Sequence, residues 1–329
     1  MYLGEDFLPY LPFVIRTVLQ SAQLNLDSTI RSIDTSDESS RTVSHEDKRK
    51  GIQISDSRLR EKTFACDILG YYADELKEAF FPWIDEVATV LVPLLRFDHE
   101  IVREAAFAAM PKLLRSAKLA IRKGQAEGHI RYSSLKQLTD QMVAALLNFL
   151  PKEPNVKIRL NKLETLRTCI QICASVLDEK QIGSIVEEMK RLIGTSTSVE
   201  DEDLRENENE QEHGYLHRGN YVTVEERKLA ICIWGDVVEN CRNSVLRYNS
   251  MCLPFLLDAC IDENQEVRQL AVYVLGLCAE YGGSVFRPAV REAVSRLTKV
   301  IGNPHTRHAE SVLTNDCCFG SWEDMPVSS

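Results

Sequence analysis

Apolar positions along this chain recur at three and four residues, in pairs of stripes separated by short polar breaks. That is the spacing of one buried helix face. The clearest pair lies in Leu253–Tyr281. Leu253, Leu256, Leu257 and Cys260 end at Asp262-Glu263-Asn264, and a second stripe runs from Val267 through Leu270, Ala271, Val274, Leu275 and Cys278. The break admits only a tight turn, so the pattern predicts two antiparallel helices. Such a hairpin keeps a second apolar side that only another hairpin covers. The unit is therefore a repeat, not a domain.

A basic residue followed three positions later by a small or apolar one marks the second helix of each copy. Arg268 with Ala271 is the type case, and Arg227 with Ala230 lies 41 residues earlier. Lys62 with Ala65 and Arg103 with Ala106 are again 41 apart, and a weaker copy, Lys157 with Leu160, follows Ala106 by 54. This period is that of HEAT-type helical hairpins. The expected fold is all-α, an α-solenoid of HEAT-type antiparallel helix pairs forming a fragment of a right-handed superhelix.

In chain order, the pattern predicts helices over Phe7–Leu24, Ser57–Leu76, Phe80–Phe97 and Ile101–Lys123, with Pro111 expected to kink or end the last. Further helices are expected over Ser134–Leu150, Val156–Leu177, Glu179–Ile193, Val224–Cys241, Leu246–Cys260, Gln265–Tyr281 and Val285–Ile301. Asp27–Ile54 and Gly124–Ser134 read as loops. The repeats thus occupy residues 1–199 and 224–302, with a divergent segment at 200–223 and an irregular tail at 303–329. Since 70 residues separate Leu160 from Ala230 with no helical pattern after Glu212, a unit is expected to be missing there.

Charge changes this picture at one place. The net charge is −10, and Glu200–Glu212 supplies −7 of it through eight acidic residues and Arg205. The acids are Glu200, Asp201, Glu202, Asp203, Glu206, Glu208, Glu210 and Glu212. Such a run cannot bury enough surface to fold alone. It is either a solvated linker or an acidic flap that meets basic ligands. The overall balance argues against direct binding of nucleic acid or anionic membrane, and for basic partners. No apolar run is long enough to span a bilayer; Val87–Leu95 is among the longest and contains Pro93. Glu5, Asp6, Pro9 and Pro12 do not read as a signal peptide. The ten cysteines have no metal spacing, and Cys66, Cys232, Cys260 and Cys278 fall in apolar stripes, as reduced thiols do in a cytosolic or nuclear protein.

No catalytic constellation, metal site or cofactor motif is present. His213/His217 and His305/His308 have helix-like spacing but lack acidic or cysteine partners suited to zinc. Gly124–Gly128 is a loop and not a phosphate cradle. A binding protein, not an enzyme, is expected. A solenoid offers a long inner surface built from its second helices. The polar residues there that stand outside the apolar stripes are Asp67, Asp74, Glu104, Asp236, Glu239, Gln269 and Glu280, spaced to meet lysines and arginines of an extended peptide. At each position the alternative is a solvated charged face. Trp83 and Trp234 fall in apolar stripes, as core residues.

Several stretches resemble the importin-beta (karyopherin-beta) nuclear transport receptors, in their importin-5 or karyopherin beta-3 branch and its plant form. They are EDFLPYLPFV (Glu5–Val14), ACDILGYYADELKEAFFPWIDEVA (Ala65–Ala88), AAMPKLLRSAKLAIRKGQ (Ala108–Gln125), AICIWGDVVENC (Ala230–Cys241) and DENQEVRQLAVYVLGLCAEYGGSVFRP (Asp262–Pro288). The resemblance covers most of residues 5–199 and 223–313 and implies a monomeric receptor that shuttles between cytoplasm and nucleus. It implies binding of basic cargo signals, passage through pores on phenylalanine-glycine nucleoporins in crevices between first helices, and release by GTP-bound Ran. The chain matches the middle-to-late repeats, whereas the family makes much of its Ran contact in N-terminal ones. From Asp316 the tail DCCFGSWEDMPVSS departs from the family peptide and matches its translation shifted by one nucleotide. On that reading Cys317, Cys318 and Trp322 carry no function. A HEAT scaffold without a transport role and a truncated, inactive paralogue are the alternatives.

Overall fold

The computed structural model describes residues 4–24, 45–123, 129–153, 155–194, 222–241 and 248–281, with isolated positions at 288, 291, 292, 294 and 295. The described residues form helices and turns, in two compact units, Met1–Leu146 and Leu147–Ser329. None of the described helices is long and apolar enough to cross a membrane.

In the first unit, α1 (Leu11–Ala22) follows a short 3₁₀ turn at Gly4–Phe7. Its buried Leu11, Ile15, Leu19 and Ala22 make one stripe that packs on α2 (His45–Leu76). A 3₁₀ stretch, Lys77–Trp83, leads into α3 (Ile84–Leu94), which pairs with α4 (Glu100–Arg122). The second helices α2 and α4 then pack side by side along their length. Residues 45–54, expected in a loop, belong to α2. That stretch is rich in helix-favouring Glu, Lys and Arg but carries no apolar stripe, so periodicity could not find it. The next helix, α5 (His129–Phe149), likewise starts inside the stretch expected to be a loop.

Proline inside α4 does not end it. Pro111 stands eight residues after Arg103, the place that Gly70, Gly235 and Gly276 hold after Lys62, Arg227 and Arg268. Gly70 and Gly235 lie where second helices touch. A Cβ on Gly70 would meet the Cα and Cβ of Ala109 at 3.1 Å, and one on Gly235 would meet Val274 at 3.0 Å. The Pro111 ring is buried, which offsets the hydrogen bond its nitrogen cannot donate.

In the second unit, a 3₁₀ turn at Leu150–Lys152 precedes α6 (Val156–Cys173), capped by Asn155, whose Oδ1 accepts the Lys157 and Ile158 amides at 3.0 and 3.4 Å. After a 3₁₀ turn at Ala174–Val176 come α7 (Glu179–Gly194), α8 (Val224–Cys241), α9 (Asn249–Ala259) and α10 (Gln265–Tyr281). The bounds of α8 and α10 are those the periodicity predicts. Helix α8 is the centre: α6, α7 and α10 all pack on it, around the fully buried Trp234. Trp83 is half-buried, its ring 6.0 Å from that of Phe80. The acidic run, the expected missing unit, most of Val285–Ile301 and the tail lie outside the described residues.

Candidate binding face on the second helices

What orients the second helices is the basic residue that recurs in sequence. Four of the five reach carbonyls at or after the end of the preceding helix, which leaves its last oxygens without intrahelical partners. Arg103 Nη1 donates to the carbonyls of Phe97 (2.8 Å) and Asp98 (2.6 Å), and Arg268 Nη1 to those of Asp262 (2.7 Å) and Glu263 (2.8 Å). Lys62 Nζ, buried, donates to Ala22 (2.5 Å) and Leu24 (3.1 Å) at the end of α1, and burial pushes its pKa down. In the weak copy, Arg159 rather than Lys157 does this work, its Nη1 donating to the Glu153 carbonyl at 3.0 Å. The register therefore shifts by two residues. The pattern hid it because Lys162 stands where the other copies have alanine. Its charge is tolerated there by the buried Glu153 carboxylate, 2.7 Å away. Arg227 links forward instead, with Nη1 2.6 Å from Asp262 Oδ2 in the next turn.

Fixed at one end in this way, the second helices present equivalent positions at equal distances from the key residue. Twelve residues on stand Asp74, Arg115, Gln171, Glu239 and Glu280, after Lys62, Arg103, Arg159, Arg227 and Arg268. Asp74, Glu239 and Glu280 are exposed. Asp74 meets Arg115 Nη1 at 3.4 Å, an exposed pair of small energetic value. Asp67 is exposed on α2; burial of part of its surroundings pushes its carboxyl pKa up while the Lys112 ammonium draws it down. Glu104 and Gln269 are half-buried. Asp236 is already engaged: it accepts Arg167 Nε at 2.8 Å and Gln171 Nε2 at 3.1 and 3.2 Å, both from α6.

Sequence reasoning missed the exposed apolar side chains among these carboxylates. Phe64 is 66 % exposed, Tyr71 53 % and Ile101 47 % in the first unit, and Tyr273 52 % in the second. Apolar residues off the buried stripe read as noise in a periodicity search. Their signal was the alternation of ring and carboxylate in Phe64, Asp67, Tyr71 and Asp74. Beside Phe64 and Ile101 lies an open depression of about 510 Å³, also lined by Arg60, Glu61 and Asp67.

Burial pushes the thiols of Cys66, Cys252 and Cys278 up to about 12 and that of Cys241 to about 11, so they stay protonated and unreactive. Among the described residues, no group of three His, Cys, Asp or Glu side chains is placed to hold a metal ion.

No protein-family model matches the chain. Among curated proteins, importin subunit beta-3 of Saccharomyces cerevisiae is 23% identical over 358 residues, covering 94% of this chain and 32% of the relative. The probable importin-5 homolog of Dictyostelium discoideum is 21% identical over 354 residues, covering 91% and 31%. The chain thus spans about a third of the length of the curated relatives it matches. The crystal structure of Kap121p matches with a TM-score of 0.53 at 18% identity, covering 94% of this chain and 32% of that one. Kap121p has also been solved bound to RanGTP, Nup53p and Pho4p, and as a variant with three acidic residues changed to lysine. The chain is a homologue of importin-beta family members, over part of their length, and has the all-α HEAT-repeat fold of the karyopherin Kap121p.

Proposed function

We propose that this chain is a segment of a nuclear import receptor that binds basic cargo signals on its second helices and phenylalanine-glycine nucleoporins on its first. The observation that carries this reading is the alignment of 94% of the chain with an importin, on helices whose outward positions hold Asp74, Glu239 and Glu280 at one place in the repeat. Asp67 and Glu104 add to that face in the first unit, and Gln269 in the second. Carboxylates at this place in the repeat, within each unit by itself, meet lysines of an extended peptide, and the acidic run Glu200–Glu212 raises the local concentration of basic ligands. The mechanism is distributed contact without catalysis. By this reading the protein shuttles between cytoplasm and nucleus, and Ran-dependent release belongs to the full-length receptor.

The test is retention of the purified chain on beads carrying a phenylalanine-glycine nucleoporin fragment, alongside anisotropy of a fluorescein-labelled lysine-rich peptide. A receptor segment binds both. Peptide binding without bead retention marks a HEAT scaffold, and loss of both in a chain with a cooperative helical melt overturns the reading.

A further inference from the structure

On α2, Phe64, Asp67, Tyr71 and Asp74 follow one another at three, four and three residues and are all exposed. The stripe alternates ring and carboxylate, a pattern that suits cations twice over: the ring face attracts positive charge and the adjacent acid pairs with it. Its second half is served by the protein's own cations from α4. Lys112 Nζ lies over the Tyr71 ring, 5.5 Å from its centroid, and Arg115 pairs with Asp74. At its first half, the Phe64 ring borders the depression, which Ile101 also lines. The charged groups lining that depression are Arg60, Glu61 and Asp67, so acid exceeds base, and Glu61 accepts a bond from Ser21 Oγ at 2.7 Å on its far side.

We propose that Phe64, Asp67 and Ile101 form a docking site for a lysine side chain of a basic partner peptide, its alkyl stem on Ile101 and its ammonium between the Phe64 ring and the Asp67 carboxylate. The inference rests on the basic-cargo reading and gives it an aromatic anchor. Lys112 is the internal counterpart of this ligand and also its competitor, because its ammonium interacts with the same Asp67 carboxylate. An apolar wall suits a long alkyl stem, and a single excess carboxylate suits a single ammonium.

Anisotropy with a fluorescein-labelled peptide of alternating lysine and serine tests this on the whole chain. Phe64→Ala is expected to weaken binding roughly three- to tenfold, and Phe64→Leu, which keeps apolar area but loses the ring, by an intermediate factor. Lys112→Met is expected to tighten it by a similar factor, a gain that misfolding cannot produce. The same peptide with every lysine acetylated is expected to lose binding. Equal binding by the acetylated peptide would overturn the lysine site. So would unchanged affinity in Phe64→Ala and Lys112→Met while Glu239→Gln and Glu280→Gln weaken binding, which would leave the basic-cargo reading standing. No binding by the parent chain would overturn that reading itself.

Discussion

Helices α2 and α8 hold the same place in the repeat and treat their outward faces in opposite ways. Each starts from a buried basic residue, Lys62 or Arg227, and each has glycine eight residues later where a neighbouring second helix presses close. On α2 the positions two, five, nine and twelve after the key are Phe64, Asp67, Tyr71 and Asp74; on α8 they are Leu229, Cys232, Asp236 and Glu239. The α8 face completes itself: Asp236 takes Arg167 and Gln171 from α6, and Glu226 at the helix start takes Arg159. The α2 face keeps two rings and Asp67 open to solvent. Inward positions follow the repeat because packing dictates them, whereas outward positions are free to diverge. There, one helix secures its neighbour and the other leaves its face exposed.

The largest expected effect separates inward from outward aromatics. Trp234 is fully buried at the centre of the second unit, so Trp234→Ala should cost about 3–5 kcal/mol through lost burial and an unfilled cavity. Phe64→Ala removes a mostly exposed ring and should change stability by less than about 0.5 kcal/mol. Paired thermal melts followed by circular dichroism check both. A similar loss in the two variants would mean that the α2 stripe is core and not a binding face.

Next comes the carboxylate that secures α8. Glu226 accepts Arg159 Nε at 2.5 Å and Nη2 at 3.2 Å, and with Thr223 forms a capping box. Burial alone would push its pKa up, but the Arg159 guanidinium and the Thr223 amide outweigh it and hold the carboxyl below the usual glutamate range. The contribution of Glu226 is therefore present above the unfolded pKa, ~4.3, and is lost as pH falls through the lower folded value. Glu226→Gln is expected to cost about 3 kcal/mol at neutral pH, the scale for breaking one side of a buried pair. It should also flatten the acid limb of stability against pH. Urea unfolding between neutral pH and acid measures both, and an unchanged acid limb would remove Glu226 as the titrating group.

How much of this was legible in sequence depends on which face is considered. The stripes of α8 and α10 gave their bounds, because an apolar residue every three or four positions can lie only on a packed face. Residues 45–54 were missed because a helix polar on all sides has no period to detect. The register of α6 was missed because Lys162 fills the alanine position, and only the buried Glu153 makes that charge tolerable. The candidate acids were read as polar positions off the stripe, yet sequence could not tell Asp236, matched by Arg167, from Asp67, which has no comparable ion pair among the described residues. That distinction depends on what the adjacent helix carries, a relation across many residues that local spacing does not encode.

The smallest expected effect sharpens this last contrast. Asp236→Asn removes a partly buried pair and should cost about 1 kcal/mol. Asp67→Asn should cost nothing measurable, since burial already disfavours its charged form and pushes its pKa up, with Lys112 only partly compensating. The sign follows: a carboxyl with a raised folded pKa takes up protons on folding, so its contribution to stability grows as pH falls through that pKa towards the unfolded one. Asparagine, uncharged like the protonated carboxyl, should therefore remove a small cost at neutral pH while leaving acidic pH unchanged. In binding the order reverses, because Asp67→Asn should weaken the lysine peptide and Asp236→Asn should leave it nearly unchanged. These two variants, compared in melts and in anisotropy, separate the binding of a cation from outside the chain from a structural use of the carboxylate.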